Sequence, residues 1–177
     1  GVDAKWIPNP STAIDATVNP DFSQIESDAG QITANERFAL FYPEKRPFCL
    51  EGANLLQTPI QAVYTRTFTS PRFGLRATGG SESTKYTALV GEDRGGGSVI
   101  LPGPEGSGFA GQDFASYVAV TRGRHDFAKA FVSLLYTGRE NASADGGGSN
   151  HVAGPDFEWR PTPQDTVTGQ LLFSWSD

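Results

Sequence analysis

The stretch NPDFSQIESDAGQITANERFALFYPEKRPFCLEG, residues 19–52, is the longest segment of the chain that does not read as strand, turn or glycine-rich loop. Its carboxylates are Asp21, Glu26, Asp28, Glu36, Glu44 and Glu51, and its aromatic residues are Phe38, Phe41, Tyr42 and Phe48. Pro43 and Pro47 bracket three charged residues, which stiffens the backbone and orients those charges in advance. A long irregular segment inside a compact β domain commonly has a function or fills a cavity. We therefore expect residues 19–61 to form an inserted, plug-like segment against a wall of strands.

The rest of the chain alternates between apolar and polar residues, as β-strands do. A hairpin is predicted from Val2–Ile7 and Ala13–Val18. Further strands are predicted at Ala62–Phe68, Phe73–Thr78, Lys85–Val90, Phe114–Arg122, Phe127–Thr137, His151–Arg160 and Thr166–Ser176. A tight turn is predicted at Gly123–Asp126, and long loops at Glu92–Gln112 and Arg139–Asn150. A short helix is expected within Gln24–Leu40, with Ala34–Phe41 as the better candidate.

Composition limits the possible classes of protein. The 177 residues suffice for one domain with a core, here taken as residues 1–177. Glycine (21) and proline (12) are frequent, which is typical of an all-β chain with many turns. The net charge of −6 argues against nucleic-acid binding, which requires a basic surface. The chain begins at Gly1 and contains no Met, so we expect it to be a piece of a longer protein.

The pattern of faces predicts an all-β fold of antiparallel up-and-down hairpins. One face of the predicted strands is apolar, with Tyr136 and Trp175 near its ends, and the other carries Thr, Ser, Gln, Arg and Lys. Short turns alternate with long loops, as in outer-membrane β-barrels. The same alternation fits a β-sandwich whose apolar face is the core. The pattern alone leaves both architectures open.

No catalytic or cofactor motif is present, and neither a metal site nor a cofactor is predicted. The two histidines, His125 and His151, lack the paired spacing of zinc ligands. Cys49, between Phe48 and Leu50, is predicted to be a small buried apolar residue and not a nucleophile. Two carboxylates of the central stretch could serve glycoside hydrolysis, but pairing of Glu36, Glu44 and Glu51 with nearby cations is favoured.

Several runs resemble one known family. They are residues 19–24 (NPDFSQ), 35–38 (NERF), 41–48 (FYPEKRPF), 50–52 (LEG) and 64–66 (YTR). They are similar to the domain of unknown function 5916, a bacterial family in which a carbohydrate-binding domain precedes a long β-rich region. The chain departs from that family's pattern at Cys49, where an aromatic residue is usual, and at Tyr42, where Phe is usual. The loop at Asp93–Ser98 and the later hairpins also resemble the family.

The resemblance implies that the chain is the first part of an outer-membrane β-barrel of a Gram-negative bacterium, with membrane lipid and a carbohydrate ligand as partners. It implies passage or binding of a polar solute; the alternatives are a membrane-associated hydrolase acting on carbohydrate and a soluble β-sandwich binding module. A periplasmic or secreted location is the alternative to the outer membrane. The residues predicted for binding or for the plug are Asp21, Glu36, Arg37, Glu44, Lys45, Arg46, Glu51, Arg66 and Arg76. No catalytic residue is assigned.

Overall fold

The computed structural model describes residues 1–20, 47–50, 52–63, 68, 70–95, 98–101, 108–111, 114–142 and 148–177. The helix expected within Gln24–Leu40 lies outside these residues. The strands are β1 (Val2–Asn9), β2 (Thr12–Val18), β3 (Pro71–Gly80), β4 (Thr84–Asp93), β5 (Ser98–Leu101), β6 (Gly108–Gly111), β7 (Ser116–Phe127), β8 (Ala130–Asn141), β9 (Ser149–Trp159), β10 (Val167–Gln170) and β11 (Phe173–Ser176). Between β2 and β3 lie a short helix, α1 (Pro47–Leu50), and a 3₁₀ helix (Ala53–Leu56).

Nine of these strands form one antiparallel sheet, which confirms the predicted all-β, up-and-down architecture. The order is β1-β2-β3-β4-β7-β8-β9-β10, and β11 also pairs with β9. Within the described residues, β1 lies at one edge and β10 with β11 at the other, so the sheet is not closed into a barrel. The predicted loop Glu92–Gln112 contains a separate two-stranded ribbon, β5 with β6.

The tight turn predicted at Gly123–Asp126 is wrong. Residues 123–125 pair with β4 on one side, and residues 123–127 pair with β8 on the other, so β7 continues to Phe127. The turn is instead formed by Ala128 and Lys129. The glycine at position 123 suggested a turn, but two complete hydrogen-bonded neighbours keep this backbone extended. The strand predicted at Ala62–Phe68 also differs, because Ala62, Val63 and Phe68, the described members of that range, lie in no strand.

The last predicted strand, Thr166–Ser176, is interrupted at Leu171 and Leu172, between β10 and β11. Both halves pair with β9, Gln170 opposite Asp156 and Phe173 opposite Ala153, in one continuous register. The interruption faces Pro155, whose carbonyl accepts a hydrogen bond from the Leu171 N–H (3.0 Å). Proline has no N–H to donate to the ladder. The last strand therefore pairs with β9 on either side of Pro155 and is interrupted opposite it.

The two faces of the nine-stranded sheet have opposite character. Residues directly opposite each other on neighbouring strands point to the same side, so the register defines each face. One face, called the apolar face, carries most of the exposed large apolar residues: Val2, Trp6, Val18, Phe73, Leu75, Tyr86, Val90, Tyr117, Phe127, Val132, Leu134, Phe157, Trp159, Val167, Phe173 and Trp175. The other, called the polar face, holds the small core and the buried polar residues except Glu92, which is opposite Phe73 and Tyr117 on the apolar face.

The core lies on the polar face and is small. It consists of Leu56, Val63, Phe68, Leu89, Val118, Val120 and Leu135. Three of these come from the segment between β2 and β3 and four from strands β4, β7 and β8. Among the described residues, the buried apolar residues of the sheet thus pack against that segment. No helix in the described part of the chain is long and apolar enough to cross a membrane.

Candidate functional site

The polar face of the sheet carries a group of buried polar side chains. Arg76, Thr87, Arg122, Ser133 and Asp156 are each at most 6% exposed. Arg122 and Thr87 are directly opposite each other on β7 and β4, as are Ser133 and Asp156 on β8 and β9. Burying such groups is costly unless each is hydrogen-bonded. The hydrogen-bond partners of these side chains therefore indicate which groups bind to this face.

Arg122 is the centre of the group. Its Nε and one terminal nitrogen donate to the Ser133 hydroxyl (3.0 and 2.8 Å), and that same terminal nitrogen donates to Asp156 Oδ1 (2.5 Å). The other terminal nitrogen donates to the carbonyls of Leu55 (2.6 Å) and Gln57 (2.5 Å). These contacts use all five N–H groups of the guanidinium. Ser133 in turn donates to Asp156 Oδ2 (2.5 Å), so the three side chains form one closed network.

Arg122 of β7 and Asp156 of β9 form an ion pair on the polar face. The side chains of Arg122 and Asp156 are 4% and 0% exposed, so the ion pair is withdrawn from water. A buried pair of this kind persists only with good geometry and further hydrogen bonds, because both charges have lost their hydration. The carbonyls of Leu55 and Gln57 supply part of that compensation.

Residues 47–50 and 52–63, called the strap, lie across the polar face. Near its start, the Phe48 carbonyl accepts a hydrogen bond from Arg76 of β3. The 3₁₀ helix contacts β4 and β7, and its Leu55 is one of the residues bound by Arg122. Further along, the Ile60 N–H donates to Gln170 Oε1 of β10 (2.6 Å). The strap thus reaches from β3 to the far edge of the sheet.

A pair of glycines provides the seat for Phe48 and for Phe68, which follows the strap. Gly74 of β3 and Gly91 of β4 are directly opposite each other. A methyl group at Gly74 would lie 2.8 Å from the Phe48 ring, and one at Gly91 would lie 2.7 Å from the Phe68 ring. These contacts leave no room for a side chain at either position. Phe48, near the start of the strap, and Phe68, just after its end, therefore both pack on this pair of glycines.

A second charged cluster lies at the end of the sheet where β7 turns into β8. Asp126 accepts hydrogen bonds from Arg124 (2.6 Å) and Lys85 (3.1 Å). Burial would raise the pKa of Asp126, but these two cations outweigh it and the pKa is lowered. Arg124 also lies over the Phe131 ring at 3.7 Å from its centroid. Beside them is an open groove of about 480 Å³ that Lys129, Glu158 and Arg160 also line.

The opposite end of the polar face carries another buried charge. Arg139 of β8 lies near Asp93 of β4, which is 0% exposed. Asp93 also accepts a hydrogen bond from the Ser70 N–H (2.8 Å). Charged groups thus occur along the whole length of the polar face.

The apolar face has a polar spot near the same end. Tyr136, His151 and Trp175 stack in a row across β8, β9 and β11. The Tyr136 hydroxyl and His151 Nδ1 are 3.0 Å apart, and His151 Nε2 is 3.8 Å from Glu140. Trp175 lies near the end of β11, as predicted, but Tyr136 lies inside β8, because that strand continues to Asn141.

Of the residues predicted for binding or for the plug, the structure describes Arg76 alone. It is buried on the polar face and binds the strap. Asp21, Glu36, Arg37, Glu44, Lys45, Arg46, Glu51 and Arg66 lie outside the described residues, and their roles stay predictions, as does a hydrolase that uses them. The predicted burial of Cys49 is confirmed, at 1% exposure. In the described ranges, no group of three or more His, Cys, Asp or Glu side chains could hold a metal ion.

Arg122, Ser133 and Asp156 did not stand out in the sequence. Each is a polar residue on the face opposite the apolar one, and this face assignment was the available signal. It could not single them out, because their association depends on which strands are neighbours and on where the strap crosses them.

The fold and this site define an all-β protein built on one up-and-down antiparallel sheet, with an internal segment bound to its polar face. Residues 1–85 match the family model of the domain of unknown function DUF5916. The resemblance predicted from the sequence is thus confirmed over β1, β2, the strap, β3 and the first residues of β4. No curated protein and no solved structure matches the chain.

Proposed function

We propose that this chain forms part of the wall of an outer-membrane β-barrel, with the apolar face toward lipid and the polar face toward a water-filled interior that passes or binds a polar solute. A glycan is the solute we favour, because the family it resembles carries a carbohydrate-binding domain upstream. The rest of the barrel wall would come from further strands at the two edges of the sheet.

The observation that carries the proposal is the inverted distribution of polarity across the sheet. In a water-soluble β domain, the apolar side of each strand is buried and the polar side is exposed. Here Leu134 is 62% exposed and Trp159 is 50% exposed, whereas Arg122, Ser133 and Asp156 are buried. Apolar residues outside and polar residues inside, alternating along each strand, are typical of membrane barrels. A contiguous apolar surface of this extent is rare on a soluble monomer.

A soluble β-sandwich would need a second sheet of comparable size over the apolar face. The second sheet in the described part of the chain has two strands of four residues each. This small sheet favours the barrel wall, and a membrane test separates the barrel wall from the alternative, a soluble sandwich module.

The test of this proposal introduces a positive charge on the apolar face. Leu134→Arg changes an exposed residue in a central strand, so in a soluble protein it would alter stability by about 0.5 kcal/mol or less. If position 134 faces lipid, the same change costs about 2–4 kcal/mol near the bilayer midplane. The measurement is the amount of folded protein in the outer-membrane fraction, read from heat-modifiable migration on gels.

Thr168→Arg is the matched control, because Thr168 is also exposed in a strand but lies on the polar face, in register with Glu158. We expect Leu134→Arg to lose most of the membrane-inserted form and Thr168→Arg to keep it. Recovery of the unaltered protein as a detergent-free soluble monomer would overturn the proposal.

A further inference from the structure

We infer that the strap is the constriction that sets the size of solute admitted to the polar interior, and that Arg122 is the residue that holds it there. This inference rests on the proposed function, because a size limit has meaning only if the polar face lines a passage. The contacts of Arg76, Arg122 and Gln170 with the strap would then determine which solutes pass.

The position of the strap supports this inference. It lies on the polar face and is bound at three strands, β3 through Arg76, β7 through Arg122 and β10 through Gln170. Gly52 at its bend lies close to β3 and β4, since a methyl group there would lie 2.9 Å from the Thr78 side chain. A chain segment that crosses the inner face from one strand to the opposite edge occupies the space a solute would need.

The attachments of the strap to the wall can be weakened by single substitutions. Beside the apolar contacts of Leu56 and Val63, the hydrogen bonds described above to β3, β7 and β10 each depend on one wall side chain. Arg122 by itself binds two strap carbonyls, and its fork geometry allows it to reach Ser133 and Asp156 at the same time. A lysine can pair with Asp156 but cannot place donors on both carbonyls and on Ser133.

The experiment measures solute flux into liposomes that contain the purified protein, with uncharged sugars from monosaccharide to tetrasaccharide as probes. Arg122→Lys and Gln170→Ala should each raise entry of the larger sugars several-fold and change entry of the monosaccharide little. Arg124→Lys is the control: Arg124 lies two residues further along β7, pairs with Asp126 and packs over the Phe131 ring. It should leave the size limit unchanged.

A locked form provides the opposite test. In a Cys49→Ala background, Ile60→Cys and Gln170→Cys place two thiols where the strap meets β10. Joining them with a short bis-maleimide should restore the original size limit even when Arg122→Lys is present. The comparison of linked and unlinked protein uses one polypeptide, so it does not depend on how well Arg122→Lys folds relative to the unaltered chain.

Hydrogen exchange at residues 52–61 reports strap release independently of flux. Faster exchange with an unchanged size limit would overturn the constriction while leaving the proposed passage intact. Unchanged exchange in Arg122→Lys would overturn the role of Arg122. Absence of sugar flux with the strap released, in a protein that does not insert into membranes, would instead overturn the proposed function itself.

Discussion

At the scale of single residues, Asp126 shows how a charge cluster on this protein responds to pH. Its pKa is lowered in the folded state by Arg124 and Lys85, so its contribution to stability is fully present above the ordinary carboxyl pKa of about 3.9. That contribution is lost as the pH falls through the lower, folded-state value. Asp126→Asn should therefore reduce the free energy of unfolding at pH 7 by about 1 kcal/mol or less, since exposed ion pairs contribute little.

The measurement is chemical unfolding of Asp126→Asn and the unaltered protein at neutral pH and at a series of acidic pH values. The difference between them should shrink toward zero at the lowest pH. Asp3→Asn, an exposed aspartate on β1, controls for the change in net charge. A difference that stays constant with pH would mean that the substitution acts through packing and not through the lost charge.

At the scale of elements, the glycine pair under Phe48 and Phe68 determines how closely the strap packs on the sheet. Gly74→Ala would place a methyl group 2.8 Å from the Phe48 ring, and such overpacking costs about 1–3 kcal/mol. Gly123→Ala is the matched control, because a methyl group there meets nothing within 4 Å. We expect the midpoint of urea unfolding to fall for the first variant only. Equal midpoints would show that Phe48 can move aside without cost.

The boundaries of elements were predictable only where local sequence determines them. The hairpin of β1 and β2 was predicted correctly, because alternation on both sides of a Pro-Asn-Pro-Ser turn is a local signal. The turn at Gly123 was not, because the backbone there is decided by β4 and β8, which are its neighbours in the sheet. The interruption opposite Pro155 likewise requires knowing which strand is its neighbour.

At the scale of the whole molecule, all three tryptophans report on the environment of the apolar face. Trp6, Trp159 and Trp175 lie on this face and are 64, 50 and 47% exposed. In bilayers they should be quenched by lipids with brominated acyl chains and protected from iodide in the water, since tryptophan anchors at the membrane interface. The measurement is tryptophan emission in liposomes of matched composition. Quenching by iodide and not by brominated lipid would mean that the face does not contact lipid.

The candidate site was partly predictable at this scale. Alternation assigned Arg76 and the other polar residues to one face, and this required only the two-residue period of a strand. The attachment of the strap was not predictable, because Arg122 donates hydrogen bonds to Leu55 and Gln57, which lie 67 and 65 positions away in the sequence. No local pattern encodes such a meeting.

The contact between Ile60 and Gln170 has a consequence for the order of assembly. The two residues are 110 positions apart, and Gln170 belongs to β10, near the end of the chain. Ile60 of the strap can therefore bind Gln170 only after β10 has joined the sheet. Contacts between residues so distant in sequence form slowly, because the intervening chain must first be ordered. In the barrel we propose, the strap would thus complete its attachment only after the sheet has formed.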